Sequence, residues 1–119
     1  MKLRIDEIFN HGDASKEHVA MTVLEDTNLH YYVVADTTYT GKGTVSNTFR
    51  HFMWFPSTDA KKGERVSLWS GKGKNTRVTA KDGTVWHRFY WGSEAPIWND
   101  DGDAAVLLHV ESWKTTKAK

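Results

Sequence analysis

The chain predicts an all-β fold, two stacked sheets built from about eight strands, and three features carry that expectation. Apolar and polar residues alternate with a period of two in short segments, so one side of each can be buried and the other solvated. Clusters of Gly, Asn, Asp and Pro separate those segments. Runs with the 3.6-residue spacing of an amphipathic helix are almost absent.

The first segment, 2–9, places Leu3 and Ile5 on one face; Ile8 falls out of phase, which predicts a β-bulge. Asn10-His11-Gly12-Asp13 supplies a turn. Segment 17–24 alternates cleanly, with Val19, Met21 and Val23 inward. After Asp26-Thr27-Asn28, segment 29–35 puts Leu29, Tyr31, Val33 and Ala35 on one side. The Thr-rich stretch 37–43, with two glycines, reads as a loop. Segment 49–55 is apolar on both faces, with Phe49, Met53 and Phe55 on one and Phe52 and Trp54 on the other. Such a strand is central, or covers a binding surface, or forms a subunit interface.

Pro56 ends that segment because it has no N–H to donate, and 57–63 is a polar loop. Segment 65–70 turns Val66 and Leu68 inward and Trp69 to the opposite face. A glycine-rich loop, 71–75, follows. Segments 76–81 and 84–90 flank Asp82-Gly83, a two-residue hairpin signal because both residues tolerate positive φ. Segment 104–112 places Val106, Leu108 and Val110 on one face. Residues 114–119 read as a frayed basic tail, leaving 1–113 as a single domain.

The 119 residues match the commonest size of one domain, and 39% hydrophobic residues with six Trp suffice for a core without staples. The chain has no cysteine, which excludes disulfides and thiolate metal sites and suits a cytoplasmic protein. The first residues, Met1-Lys2-Leu3-Arg4, do not resemble a signal peptide, so a cytoplasmic location is expected unless an export signal was removed. No run reaches the roughly 18 apolar residues of a membrane span. A net charge of +1 conceals a basic block (Lys61, Lys62, Arg65, Lys72, Lys74, Arg77, Lys81, Arg88) followed by an acidic one (Glu94, Asp100, Asp101, Asp103, Glu111). This pattern either steers partners or solubilises strand faces and turns.

Four motifs occur in order in the C-terminal half. Gly63-Glu64 leads into Arg65-Val66-Ser67-Leu68, and a Gly-x-Gly-x-Asn loop follows at Gly71-Lys72-Gly73-Lys74-Asn75. Tyr90-Trp91-Gly92 comes next, and Trp98-Asn99-Asp100-Asp101-Gly102-Asp103 closes the series before the last apolar strand. Their order resembles the lamin-tail domains, in the form found in bacteria. Glu17-His18-Val19-Ala20-Met21 is similar to the family's second strand, and 29–36 to its third. Tyr31 stands where the family has glycine, the hairpin 79–87 is an insertion, and Glu111-Ser112-Trp113 replaces a closing Asp-Gly hairpin. The resemblance implies an immunoglobulin-like β-sandwich that binds rather than catalyses, in protein interaction or scaffold attachment. The inserted hairpin is where a function of this chain's own would reside.

Residue chemistry agrees with a binding role and does not assign a ligand. Asp100-Asp101-Gly102-Asp103 has carboxylates around a glycine, but lacks the alternate spacing and distal glutamate of a calcium loop and reads as a tight turn. Gly71-Lys72-Gly73-Lys74 lacks the spacing and following helix of a phosphate-binding loop. The six histidines show no metal-ligand spacing, and no nucleophile elbow is present. Asp6 and Glu7, adjacent on a strand, are expected on opposite faces and so unable to flank one bond. No catalytic residue, cofactor or metal is expected.

The tryptophans remain. Trp91 and Trp98 belong to the motif series and suit the core. Trp69 and Trp86 lie amid the basic block, so the candidate binding residues are Trp69, Trp86, Lys72, Lys74, Arg77 and Arg88. A protein partner is expected first. Nucleic acid, through stacking and phosphate contacts, or a polysaccharide, through stacking alone, are the alternatives.

Overall fold

The structure, a computed structural model, describes residues 1–41, 43–98 and 102–118. Its strands are β1 (Leu3–Phe9), β2 (His18–Val23), β3 (Thr27–Asn28), β4 (Tyr32–Gly41), β5 (Thr44–Val45), β6 (His51–Trp54), β7 (Asp59–Ala60), β8 (Arg65–Trp69), β9 (Thr76–Thr79), β10 (Val85–Tyr90) and β11 (Asp103–His109). The fold is all-β, and eight of these strands are four residues or longer. One sheet runs β1-β2-β8-β10-β9. Its pairs are antiparallel except β8 with β10, because the chain leaves β8, runs out to the edge as β9 and returns between them. In the second sheet β4 is central, with β11 on one edge and β6 and then β5 on the other. A short ribbon pairs β3 with β7.

Alternation in β2 and β8 buries Val19, Met21, Val23, Val66 and Leu68 against Tyr32 and Val34 of the second sheet. Leu29, Phe55, Ile97 and Trp98 fill the space between, and Trp98 is the largest side chain fully enclosed. Trp91 packs beside it, ring centroids 5.9 Å apart. Burying one such aromatic contributes roughly 3 kcal/mol, so this layer supplies most of the drive to fold.

The bulge expected in β1 lies between Ile5 and Glu7. It also brings Asp6 and Glu7 to the same side. Glu7 pairs with Ala20, while Asp6 accepts hydrogen bonds from Thr22 and Arg65 on that face. Their expected opposition is thus undone by one extra residue.

Four further expectations are corrected. Residues Leu29–Tyr31 form a 3-10 turn, with the Asn28 side chain accepting from the His30 N–H, and this resets the alternation. Tyr32 and Val34 therefore face the core and Tyr31 is exposed. The Thr-rich stretch is not a loop, since β4 continues to Gly41. Pairing of Thr37 and Thr38 with β11 overrides the composition, and threonine is a good strand former. The Asp82-Gly83 hairpin has three loop residues: the Gly83 N–H donates to the Ala80 carbonyl, Ala80 N–H to Thr84 carbonyl, and Gly83 alone takes positive φ. In β11 the residues against the main core are Ala105 and Leu107. Val106 and Leu108 instead stand on the outer face, opposite Ala35 and Val33. Val110 lies past the strand end, donating its N–H to the Tyr31 carbonyl.

The doubly apolar segment is an edge strand, not a central one. Among the described residues β6 pairs with β4 alone, and Phe52 (53% exposed) and Trp54 (39%) stand beside Ala35 and Val33 on the outer face. Trp113, placed at the domain's end by sequence, packs edge-on to Trp54 at 5.2 Å and to His30 at 4.9 Å. Residues 110–118 carry no regular structure, and 111–118 are exposed. Among the described residues no helix is long and apolar enough to cross a membrane.

Glu17 ties three loops together at one end of the sheets. Its carboxylate, fully buried, accepts from the Gly12 N–H (2.9 Å), the Ser70 hydroxyl, the Ile97 N–H (2.8 Å) and the Trp98 N–H (3.2 Å).

Candidate functional site on the outer face of the five-stranded sheet

Strand register sets the residues of this face in rows. Phe9 pairs with His18, His18 with Trp69, and Trp69 with Tyr90, so four aromatic rings cross four strands at one level. They stack on one another. His18 and Trp69 are 4.0 Å apart at 21°, Phe9 and His18 5.2 Å, and Trp69 and Tyr90 6.3 Å. The next row holds Ala20, Ser67 and Arg88, and the one after it Thr22, Arg65 and Trp86. The Arg65 guanidinium lies 4.5 Å over the Trp86 ring, where the ring quadrupole attracts it.

Between the aromatic row and Trp86 is a slot of about 140 Å³, lined by His18, Ser67, Trp69, Trp86 and Arg88. The Trp69 indole N–H donates to the buried Ser67 hydroxyl (2.9 Å), and His18 Nδ1 donates to the Lys16 carbonyl (3.0 Å), which fixes both rings. Arg88, half-buried here, has no carboxylate within ion-pair distance among the described residues. An unpaired guanidinium in partly dry surroundings carries a desolvation cost that an incoming anion would offset.

The six residues expected from sequence divide. Trp69, Trp86 and Arg88 share the slot. Arg77 does not join them, because it pairs with His87, whose side chain is inward and buried, and it reaches Glu64 at 3.8 Å. Lys72 and Lys74 sit in the loop beyond Tyr90, where Lys72 pairs with Glu94 (2.8 Å) and Lys74 is exposed. Arg65 is paired too, with Asp6 at 3.3 Å. Burial pushes the Asp6 carboxyl up, but the Thr22 hydroxyl, Arg4 and Arg65 outweigh it and hold the group below its usual range. Three of the eight residues of the basic block, Arg65, Lys72 and Arg77, are thus matched to carboxylates rather than gathered into a cationic stripe.

Sequence reasoning missed Phe9, His18, Ser67, Arg65 and Tyr90. Alternation alone would have turned His18 and Tyr90 outward. It could not show that β8 lies between β2 and β10, since consecutive strands usually neighbour and these do not.

On the opposite face of β10, His87 Nε2 donates to Glu64 Oε1 (2.9 Å). Burial raises the Glu64 carboxyl, yet hydrogen bonds from His87 and the Lys61 N–H, with the charges of His87 and Arg77, bring it below its usual range. Among the described residues no group of three or more His, Asp or Glu side chains is placed to hold a metal ion. Asn99, Asp100 and Asp101 of the expected turn lie outside the described residues; Asp103, at its end, accepts from Arg50.

No family model and no curated protein matches this chain.

Proposed function

We propose that the chain is a non-catalytic binding module of the lamin-tail type, an immunoglobulin-like sandwich that takes a protein partner on the outer face of the five-stranded sheet. The observation that carries this reading is the half-buried Arg88 lining the aromatic slot, which has no carboxylate partner among the described residues. Arginine presents a planar fork of donors that matches a carboxylate. At about 140 Å³ the slot is well below the roughly 300 Å³ at which small-molecule and cofactor pockets begin, so it suits one side-chain-sized group. An Asp or Glu of a partner, entering between Trp69 and Trp86, fits both its size and its charge. Aromatic and arginine anchors are the residue types that dominate protein interfaces.

Nucleic acid and polysaccharide fit less well. Both stack on open ring faces, whereas Trp69 has His18 against it and Trp86 has Arg65 over it. A polyphosphate also needs a continuous cationic track, and Arg65, Lys72 and Arg77 are each matched to a carboxylate.

The test is tryptophan fluorescence titrated with a hexaglutamate peptide, in the native chain and in Arg88→Met. Binding that weakens at least tenfold in the variant supports an acidic partner. A single-stranded oligonucleotide that binds more tightly than the peptide, with an affinity falling by more than two decades per decade of salt, would replace it with the nucleic-acid alternative.

A further inference from the structure

We infer that the free edge of β9, facing β7 across a groove, accepts an extended segment of a partner polypeptide as an added strand. Two adjoining hollows of about 490 and 340 Å³ lie at this edge, and Asp59 and Arg77 wall both. Asp26, Thr27, Ala60 and Lys61 line the first, and Pro56, His87 and Phe89 the second.

Antiparallel pairing determines which main-chain groups point into the groove. Ala80 donates its N–H to the Thr84 carbonyl, so that pair is hydrogen-bonded. Bonded and non-bonded pairs alternate along an antiparallel ladder. Val78 with Trp86 and Thr76 with Arg88 are therefore bonded, whereas Arg77 with His87 and Thr79 with Val85 are not. The N–H and C=O groups of Arg77 and Thr79 thus point away from β10, off the edge.

The same reasoning applies to the facing ribbon. Leu29 donates its N–H to the Thr58 carbonyl, which makes Asn28 with Asp59 the non-bonded pair. Asp59 turns its main-chain groups away from β3. Arg77 and Asp59, from different parts of the chain, hence turn main-chain donors and acceptors away from their own partner strands, and both line the two hollows; Thr79 continues the same edge beyond them. An isolated sheet edge would show this on one side only.

A strand seated here gains main-chain hydrogen bonds from Arg77 and Thr79, with Asp59 as the opposite wall. Affinity then comes from backbone pairing and selectivity from alternate side chains. Side chains directed inward would meet Pro56 and Phe89, so the occupant is an extended segment with apolar residues at alternate positions. Four residues of β9 offer roughly 13 Å of edge. Arg88 lines both the second hollow and the aromatic slot, but the added strand uses the main chain of β9 and not the Arg88 guanidinium, so this site would stand if the slot bound nothing.

The experiment is residue-resolved amide exchange on the native chain, alone and with a millimolar acetylated, amidated heptapeptide of alternating threonine and valine. Before peptide is added, the Arg77, Thr79 and Asp59 amides should exchange faster than those of Val78 and Trp86. With peptide they should slow at least tenfold, and a copy of the peptide N-methylated at alternate residues should have no effect. Thr79→Pro removes an outward N–H and no ladder bond, so it should retain the fold and lose the peptide-induced protection. Unchanged exchange at all three amides overturns the inference, as does equal protection by the N-methylated peptide.

Discussion

Replacing Glu17 with glutamine tests whether one buried carboxylate holds the end of the sandwich together. Its hydrogen-bond partners among the described residues are all donors, three of them main-chain N–H groups from the 10–17 loop and from Ile97 and Trp98, and the fourth the Ser70 hydroxyl. Three of the four bonds fall on one oxygen, Oε2, and the Gly12 bond on the other. Glutamine can keep its carbonyl on the three-donor side, but its amide then confronts the Gly12 N–H, donor against donor. Hydrogen bonds to a charged acceptor contribute about 1.5–3 kcal/mol and neutral ones about 1 kcal/mol, while an orphaned buried donor costs about 1–3 kcal/mol. Together these give an expected loss of about 3 kcal/mol for Glu17→Gln. With an unfolding entropy of about 2.1 cal/mol/K per residue, that is a fall in Tm of roughly 12 °C. The assay is urea unfolding at neutral pH, with Glu7→Gln as the exposed control, which should stay within about 0.5 kcal/mol of native. A Glu17→Gln midpoint no lower than the control's would mean that the carboxylate does not anchor these loops.

The remaining expectations concern acid stability and two glycines. Asp6 and Glu64 both have folded-state carboxyls below their ordinary range, so their contribution is complete above the unfolded pKa, roughly 4, and is lost as pH falls through the depressed folded values. Asp6→Asn and Glu64→Gln should each flatten the acid limb of a plot of urea midpoint against pH; limbs parallel to native would contradict the pairing. A Cβ on Gly73 would lie 2.4 Å from the Tyr90 ring, so Gly73→Ala should cost about 1–3 kcal/mol by overpacking and alter the near-ultraviolet signal of the Trp69–Tyr90 stack. Gly83 has open space around it but a φ of +89°, so Gly83→Ala should cost about 1 kcal/mol through backbone strain alone and leave that signal unchanged.

Much of the fold was legible. Period-two alternation located β2 and β8 and their inward residues, because those strands have one dry and one wet face. It failed where the period was reset or both faces were apolar. The 3-10 turn at Leu29–Tyr31 shifted the phase of β4 by one residue, a change a local cap produces and no hydrophobic count detects. In β11 both faces carry aliphatic residues, and which one met the core depended on register with β4. The threonines of β4 read as a loop because their pairing partners lie more than sixty positions away in the chain.

For the candidate site, local pattern could show that Trp69, Trp86 and Arg88 point away from the core, since the parity of a strand is written in its own residues. It could not show that Arg77 turns the other way, that Arg65 and Lys72 are already matched to Asp6 and Glu94, or that His18 covers Trp69. The amino-acid order determined the all-β class and the parity of the regular strands, because solvent chooses one face of each. Strand adjacency belongs to the tertiary structure: β10 lies between β8 and β9 only because long-range pairing satisfies main-chain groups that no neighbour in sequence can reach. That adjacency set Arg88 in an aromatic slot with no carboxylate partner among the described residues and left β9 at the edge of its sheet.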